Sequence, residues 1–272
     1  MEDNKSTGWF YPTLFQGLGI VFLFILLSMI TGMFISLGYL LGKPALKDFV
    51  EMLGYLLAAG GTLLVVMRVK RKVYQEQQTF NHQPVAPLNL FIVIGLTLLG
   101  LLAIDPLTNL LPMPEEVKKL FEQMFSKTLP AFFTAVVFAP LLEELIFRGI
   151  ILEGFLKNYS PVKAIIWTNV LFGLAHLNPW QFIGAFLMGI LISWVYFKSR
   201  NLLLPILMHL VNNLVSYLFL YLSDVPFSEA SLKKLFSTPG LYITLVLGGI
   251  GLLVLFFVVF AKYFPFRRKR IG

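Results

Sequence analysis

Two adjacent carboxylates and an arginine, Glu143, Glu144 and Arg148, interrupt a stretch in which nearly every neighbour is apolar. Residues 131–142 carry only Thr134 as a polar side chain, and the run resumes through Leu145, Ile146, Phe147, Ile150, Ile151 and Leu152. On insertion scales each charge at the centre of such a segment costs ~2.5–3.5 kcal/mol, against ~0.3–0.6 gained per Leu, Ile or Phe. Ionisable groups placed there mark function by default.

Two histidines share the setting. His176 ends F-G-L-A-H, with Phe172 one turn earlier on its face and Asn169 on the same stripe; His209 begins H-L-V-N-N, with Asn213 at i+4 beside it and Asn212 turned away. Taken singly, each His and Asn reads equally well as hydrogen-bonding glue between membrane helices. The third histidine, His82, falls in a polar loop and reads as solvated. A carboxylate and an imidazole that face one another are groups able to exchange a proton.

The elements that must position them are membrane helices. The chain has 272 residues, 57% hydrophobic and 13% charged, with a mean hydropathy of +0.79; a soluble domain of this length could not bury so much apolar side chain. Without cysteine, disulfides, thiolate metal sites and a cysteine nucleophile are excluded. Residues 1–8 are polar and the following apolar run is too long for a signal-peptide core, so it reads as a first transmembrane helix and not as a cleaved leader. The net charge of +8 sits in short clusters at the ends of apolar runs, a pattern of membrane topology and not of nucleic-acid binding.

A hydrocarbon core of about 30 Å takes ~20 helical residues. That ruler gives eight segments, at 14–41, 49–68, 88–111, 130–156, 161–178, 180–197, 202–222 and 238–261, divided by Gly42-Lys43-Pro44, the basic run Arg68 to Lys72, Pro87, Pro112 to Pro114, Ser160-Pro161, Asn178-Pro179, Ser199 to Asn201 and Pro239. The expected fold is all-α and polytopic, organised as helices 1–3 with an interfacial segment (1–129), a core of helices 4–7 (130–222), and helix 8 with a basic tail (223–272). Cytoplasmic N- and C-termini place fifteen of the 22 lysines and arginines inside. In residues 115–127, Val117, Leu120, Phe121 and Met124 share one helical face suited to the outer interface, although a solvated connector fits equally. The basic start of the loop 68–82 suits anionic headgroups. Gly248, Gly249 and Gly251 allow close packing of the last helix, within one chain or between two, so the oligomeric state stays open.

Helices four and five form a hairpin turning near Tyr159 and Ser160. Glu143 precedes that turn, and His176 follows it, by about sixteen residues, so both come level roughly 24 Å from it. Pro140 removes a helix hydrogen bond and frees the carbonyl of Val136, an irregularity suited to a cavity wall. Glu144 and Arg148, at i and i+4, can pair, which leaves Glu143 for chemistry.

E-E-x-x-x-R at Glu143, Glu144 and Arg148, F-x-x-x-H at Phe172 and His176, and H-x-x-x-N at His209 and Asn213 resemble the motifs of the CPBP intramembrane proteases, also called the CAAX protease and bacteriocin-processing, or Abi, family. The matching core covers about residues 130–222. The resemblance implies an eight-helix endopeptidase acting on a membrane-embedded peptide or protein. It implies further that Glu143 activates a water held by His176, that Glu144 with Arg148 positions Glu143, and that His209 with Asn213 stabilises the oxyanion. Glu143, His176 and His209 also resemble a catalytic zinc set. The H-E-x-x-H spacing is absent, and both a zinc-bound and a metal-free water stand open. The family's distribution implies a bacterial plasma membrane. A non-catalytic scaffold or bacteriocin immunity protein of the same fold is the alternative, and a proton-coupled transporter a further one, without the inverted repeats such proteins commonly carry.

Overall fold

A computed structural model describes residues 9–40, 47–108, 111–124, 126–222 and 238–263. These residues form helices and connectors, with no strand among them. In chain order the helices are α1 (Leu14–Leu40), α2 (Lys47–Val73), α3 (Pro87–Thr108), α4 (Glu115–Met124), α5 (residues 129–158), α6 (Pro161–Ala175), α7 (Pro179–Ser199), α8 (Leu203–Leu222) and α9 (Pro239–Tyr263). Six of them, α1, α2, α3, α7, α8 and α9, are long and apolar enough to cross a membrane. With α5 and α6 they account for the eight segments expected from the sequence, and the chain is an all-α, multi-pass membrane protein.

The differences from the expected bounds have local causes. The basic run Arg68 to Lys72 continues α2 to Val73, because lysine and arginine are good helix formers and their charges complement the C-terminal end of the helix dipole. Helix α6 stops at Ala175, three residues short of Asn178. At 15 residues it is about 22 Å long, less than the ~30 Å hydrocarbon core. The α6–α7 break at Asn178-Pro179 is real: Asn178 caps α7 by accepting from the Gln181 amide at 2.8 Å.

Loop 74–86 is not a free solvated loop. Its backbone pairs with the α7–α8 turn, Leu202 N–H donating to Asn81 at 2.8 Å, and Asn201 Nδ2 donates to the Gln83 carbonyl at 2.7 Å. Phe80 fills the space that Gly149 leaves open: a Cβ on Gly149 would stand 2.7 Å from its ring. His82 is exposed, as expected. The connector at 115–124 is helical, although the side chains of Leu120, Phe121 and Met124, the Gly42-Lys43-Pro44 break and the basic tail lie outside what is described.

Two apolar clusters fill the bundle. One joins α1, α2, α5 and α6 around Ile150, Phe155 and Leu171; the other joins α3, α7, α8 and α9 around Leu96, Ile192 and Met208. On α9, Gly249 abuts Leu102 of α3, whereas Gly248 and Gly251 face open space. Helix α5 carries its charges within the first cluster.

Candidate active site

Helix α5 winds regularly at its two ends, Leu129–Phe132 and Glu153–Asn158, and over its central Ala139–Ile146; the turns between, Phe133–Phe138 and Phe147–Leu152, are widened to the π form. At the first, Ala139 N–H reaches back five residues to Thr134. The next step of that register would need an N–H from Pro140, which has none. The Ala135 carbonyl is therefore free, and Asn213 Nδ2 on α8 donates to it at 2.7 Å. The side-chain-capped carbonyl thus falls at Ala135, one residue before the position that a plain α-helical count indicates. At the second wide turn Gln78 Nε2 donates to the Gly149 carbonyl at 2.9 Å. Each irregularity of α5 is met by an amide from another element, which satisfies a backbone carbonyl that the helix ladder leaves without a partner.

The regular segment carries both carboxylates, and they have different surroundings. Glu144 and Arg148 are fully buried and paired, Nη1 to Oε1 at 2.7 Å. The guanidinium also donates to Asn169 Oδ1 and the Gly189 carbonyl, both at 3.0 Å, and to Ser193 Oγ at 3.2 Å, while its carbon lies 4.9 Å from the Phe172 ring centre. Asn169 is held in turn by donating to Ile165 and Ser193. A buried arginine whose N–H groups find four acceptors and an aromatic face escapes most of the penalty of burial. Gly189 is needed there, because an added Cβ would collide with Asn169 Oδ1 and stand 3.2 Å from Arg148 Nη2.

His209 joins this network. Its Nδ1 is 2.8 Å from Glu144 Oε1, and its Nε2 is 3.9 Å from Glu143 Oε2. Since a carboxylate only accepts, Nδ1 carries the proton. Glu144 thus touches Arg148 and His209, and bridges them through one oxygen.

Glu143 faces a cavity of about 210 Å³ lined by Phe24, Ser28, Tyr55, Phe147, Phe172, Ala175, His176 and Gln181 as well. His176, the residue that caps α6, has Nδ1 2.9 Å from the Phe172 carbonyl; that nitrogen must donate, which gives Nε2 the free lone pair in the neutral ring. The following residue, Leu177, is held at φ 57°, a left-handed conformation that costs roughly 1–2 kcal/mol for a side-chain-bearing residue. Asn178 Nδ2 steadies this turn by donating to the His176 carbonyl at 3.0 Å. Phe172 supports the whole arrangement, its ring meeting those of Phe147, His176 and His209 edge-on with centroids 4.9, 5.1 and 5.7 Å apart.

The structure therefore brings Glu143 and His176 to one cavity, sets His209 behind Glu143, and places Glu144 and Arg148 beneath them. Asn213 is committed elsewhere, its amide N–H on Ala135 and its oxygen accepting from Asn212 Nδ2 at 3.0 Å. Among the described residues no group of three or more His, Asp or Glu side chains is disposed to hold a metal ion. Sequence reasoning did not single out Tyr55, Ser193, Gly189 or Gln78. The only sequence signal for the first two is an isolated hydroxyl within an apolar helix.

Residues 125–215 match the family model described as type II CAAX prenyl endopeptidase Rce1-like, a span that contains all three motifs. The chain is 25% identical over 195 residues to the membrane-embedded CAAX protease MroQ of Staphylococcus aureus (strain USA300), covering 67% of this chain and 78% of that protein. It is 31% identical over 136 residues to an uncharacterized 24.3 kDa protein of Escherichia coli, covering 47% and 59% of the two chains. No solved structure matches.

Proposed function

We propose, from the Rce1-like core at residues 125–215, that this protein is a membrane peptidase that hydrolyses peptide bonds of membrane-associated peptides or proteins with Glu143 as general base. One observation carries the reading. Of the two buried carboxylates, Glu144 is consumed by Arg148 and His209, whereas Glu143 opens onto the cavity that also holds His176.

In this reading a water sits between Glu143 and His176. Glu143 Oε2 takes a proton from it, the Nε2 lone pair of His176 accepts its second hydrogen, and the oxygen attacks the substrate carbonyl carbon. The carbonyl π electrons move to oxygen. The resulting oxyanion is stabilised by His209, whose ring is anchored through Nδ1 on Glu144, inside a site walled by apolar rings that strengthen electrostatic attraction. The tetrahedral species then collapses, the C–N bond breaks, and the proton held by Glu143 passes to the leaving amine. Asn213 is assigned to holding the wide turn before Pro140, and through it the register of Glu143.

The test is cleavage of a panel of membrane-proximal peptides by the purified full chain, wild type against Glu143→Gln, with folding checked by thermal melting. Loss of cleavage in a folded variant supports the base. Equal cleavage by both proteins refutes it.

A further inference from the structure

We propose that Tyr55 on α2 is a positioning residue for the reaction, selecting which oxygen of Glu143 acts as the base; this rests on the peptidase reading above. Tyr55 lies outside residues 125–215, seventy residues or more from any of the three motifs, and reaches the site only through the packing of α2 on α5.

Its hydroxyl donates to Glu143 Oε1 at 2.9 Å, across the cavity that both residues line. The two oxygens of Glu143 are thereby made unequal. Oε1 is taken by a phenol, and Oε2 is the oxygen that lies 3.9 Å from His209 Nε2. A carboxylate on a flexible stem has several rotamers open to it, and general-base catalysis needs one of them with an oxygen within about 2.6–3.2 Å of the water. The phenol fixes that choice: it pins one oxygen and leaves the lone pairs of the other turned to the water.

Tyr55 is itself rigidly placed. Its ring meets Phe24 of α1 edge-on at 6.4 Å between centroids. The preceding residue is buried Gly54, where a Cβ would stand 2.8 Å from Ile35 of α1, so the α1–α2 hairpin is closely packed at this level. A phenol also suits the position chemically. It has two main side-chain torsions to freeze, and its O–H donates to a carboxylate without bringing a further charge into the bilayer. Phe24, Ser28 and Tyr55 line the same cavity as Phe147 and Phe172, so the α1–α2 hairpin contributes to a site whose motif residues lie on other helices.

The experiment has two arms, both on the full chain in detergent. In the first, Tyr55→Phe and Glu143→Gln are compared with wild type on a membrane-proximal peptide that wild type cleaves. Removing only the hydroxyl is expected to lower kcat by on the order of 10²-fold, the penalty of an ill-placed catalytic group, with KM within about two-fold, since the hydroxyl acts on the base and not on ground-state binding. The second arm needs no substrate. The infrared C–O band of Tyr55, identified as the wild-type minus Tyr55→Phe difference, is followed in a Glu143→Gln background. It is expected to shift, because a bond to a carboxylate is stronger than one to an amide.

An unmoved Tyr55 band in folded Glu143→Gln overturns the inference. So does a Tyr55→Phe enzyme with wild-type kcat, or one changed in KM alone, which would make Tyr55 part of the cavity wall and nothing more. Undiminished cleavage by Glu143→Gln is a different failure. It removes the peptidase reading on which the inference rests, even if the band shifts and the hydrogen bond stands.

Discussion

His209 is anchored by Glu144 and not by Glu143: its Nδ1 lies 2.8 Å from Glu144 Oε1, while its nearest approach to Glu143 is 3.9 Å. The same Glu144 oxygen receives Arg148 Nη1 at 2.7 Å. The second carboxylate of the E-E pair therefore works as a keystone for two hydrogen-bond donors. The first is left facing the cavity.

Substituting the two glutamates should accordingly have opposite signatures. Glu144→Gln leaves Arg148 without its counter-ion at a fully buried site and is expected to destabilise by about 3–5 kcal/mol, read as a large fall in Tm. Glu143→Gln, with a partly accessible side chain, is expected to melt near wild type and to lose roughly 10²–10⁴-fold in kcat, the usual worth of a general base. A stable, inactive Glu144→Gln beside an unstable Glu143→Gln would reverse these assignments.

Gly189→Ala tests the guanidinium network from the opposite side. The new methyl would overlap Asn169 Oδ1 and crowd Arg148 Nη2, so one of the arginine's acceptors must move. Overpacking of this kind costs about 1–3 kcal/mol. Thermal melting of the variant at wild-type stability would mean that α7 can retreat from α5 freely.

Asn213→Ala separates two roles for the amide. A cap on the Ala135 carbonyl predicts a loss of about 0.5–1.5 kcal/mol in stability, the net worth of an ordinary hydrogen bond. Its effect on kcat is then small. An oxyanion donor predicts the reverse, a fall of roughly 10²–10³-fold in kcat at unchanged Tm. Measuring both quantities on one preparation decides between them.

Chelation tests the water's activator. A water activated by Glu143 without a metal predicts that cleavage by dialysed protein is the same with and without a strong chelator. Activity lost to the chelator and restored by zinc would show instead that Glu143, His176 and His209 rearrange around a metal.

Gln78 offers a readout away from the chemistry. Its amide holds the Gly149 carbonyl in the wide turn next to Arg148, so Gln78→Ala is expected to destabilise modestly, by about 1–3 kcal/mol, and to speed hydrogen exchange in residues 147–152. Unchanged exchange there would assign the loop 74–86 no part in holding α5.

Much of this protein was legible from its residues alone. The apolar runs, read against the thickness of a bilayer, set the number and order of the helices, because backbone groups in lipid must be satisfied within each segment. The cost of placing charge in such a run singled out Glu143, Glu144 and Arg148. Helical spacing tied Phe172 to His176 and His209 to Asn213, and counting from the hairpin turn brought Glu143 level with His176. Pro140 announced an irregular turn.

What spacing could not convey was which partner each group takes, since that depends on how separate helices rotate and approach one another. Tyr55, Ser193 and Gly189 share no periodicity with the motifs, and only the packing of α2 and α7 on α5 brings them to Glu143 and Arg148. The widening of α5 around its regular segment shifts the register of every side chain beyond it. The tertiary structure thus decided that Glu144 holds both Arg148 and His209, that Asn213 caps Ala135, and that Glu143 is the carboxylate of the pair left open to the cavity. Local sequence fixes the helices and their polar inventory; hydrogen-bond partners are settled only when burial drives donors and acceptors to seek them among the groups the fold supplies.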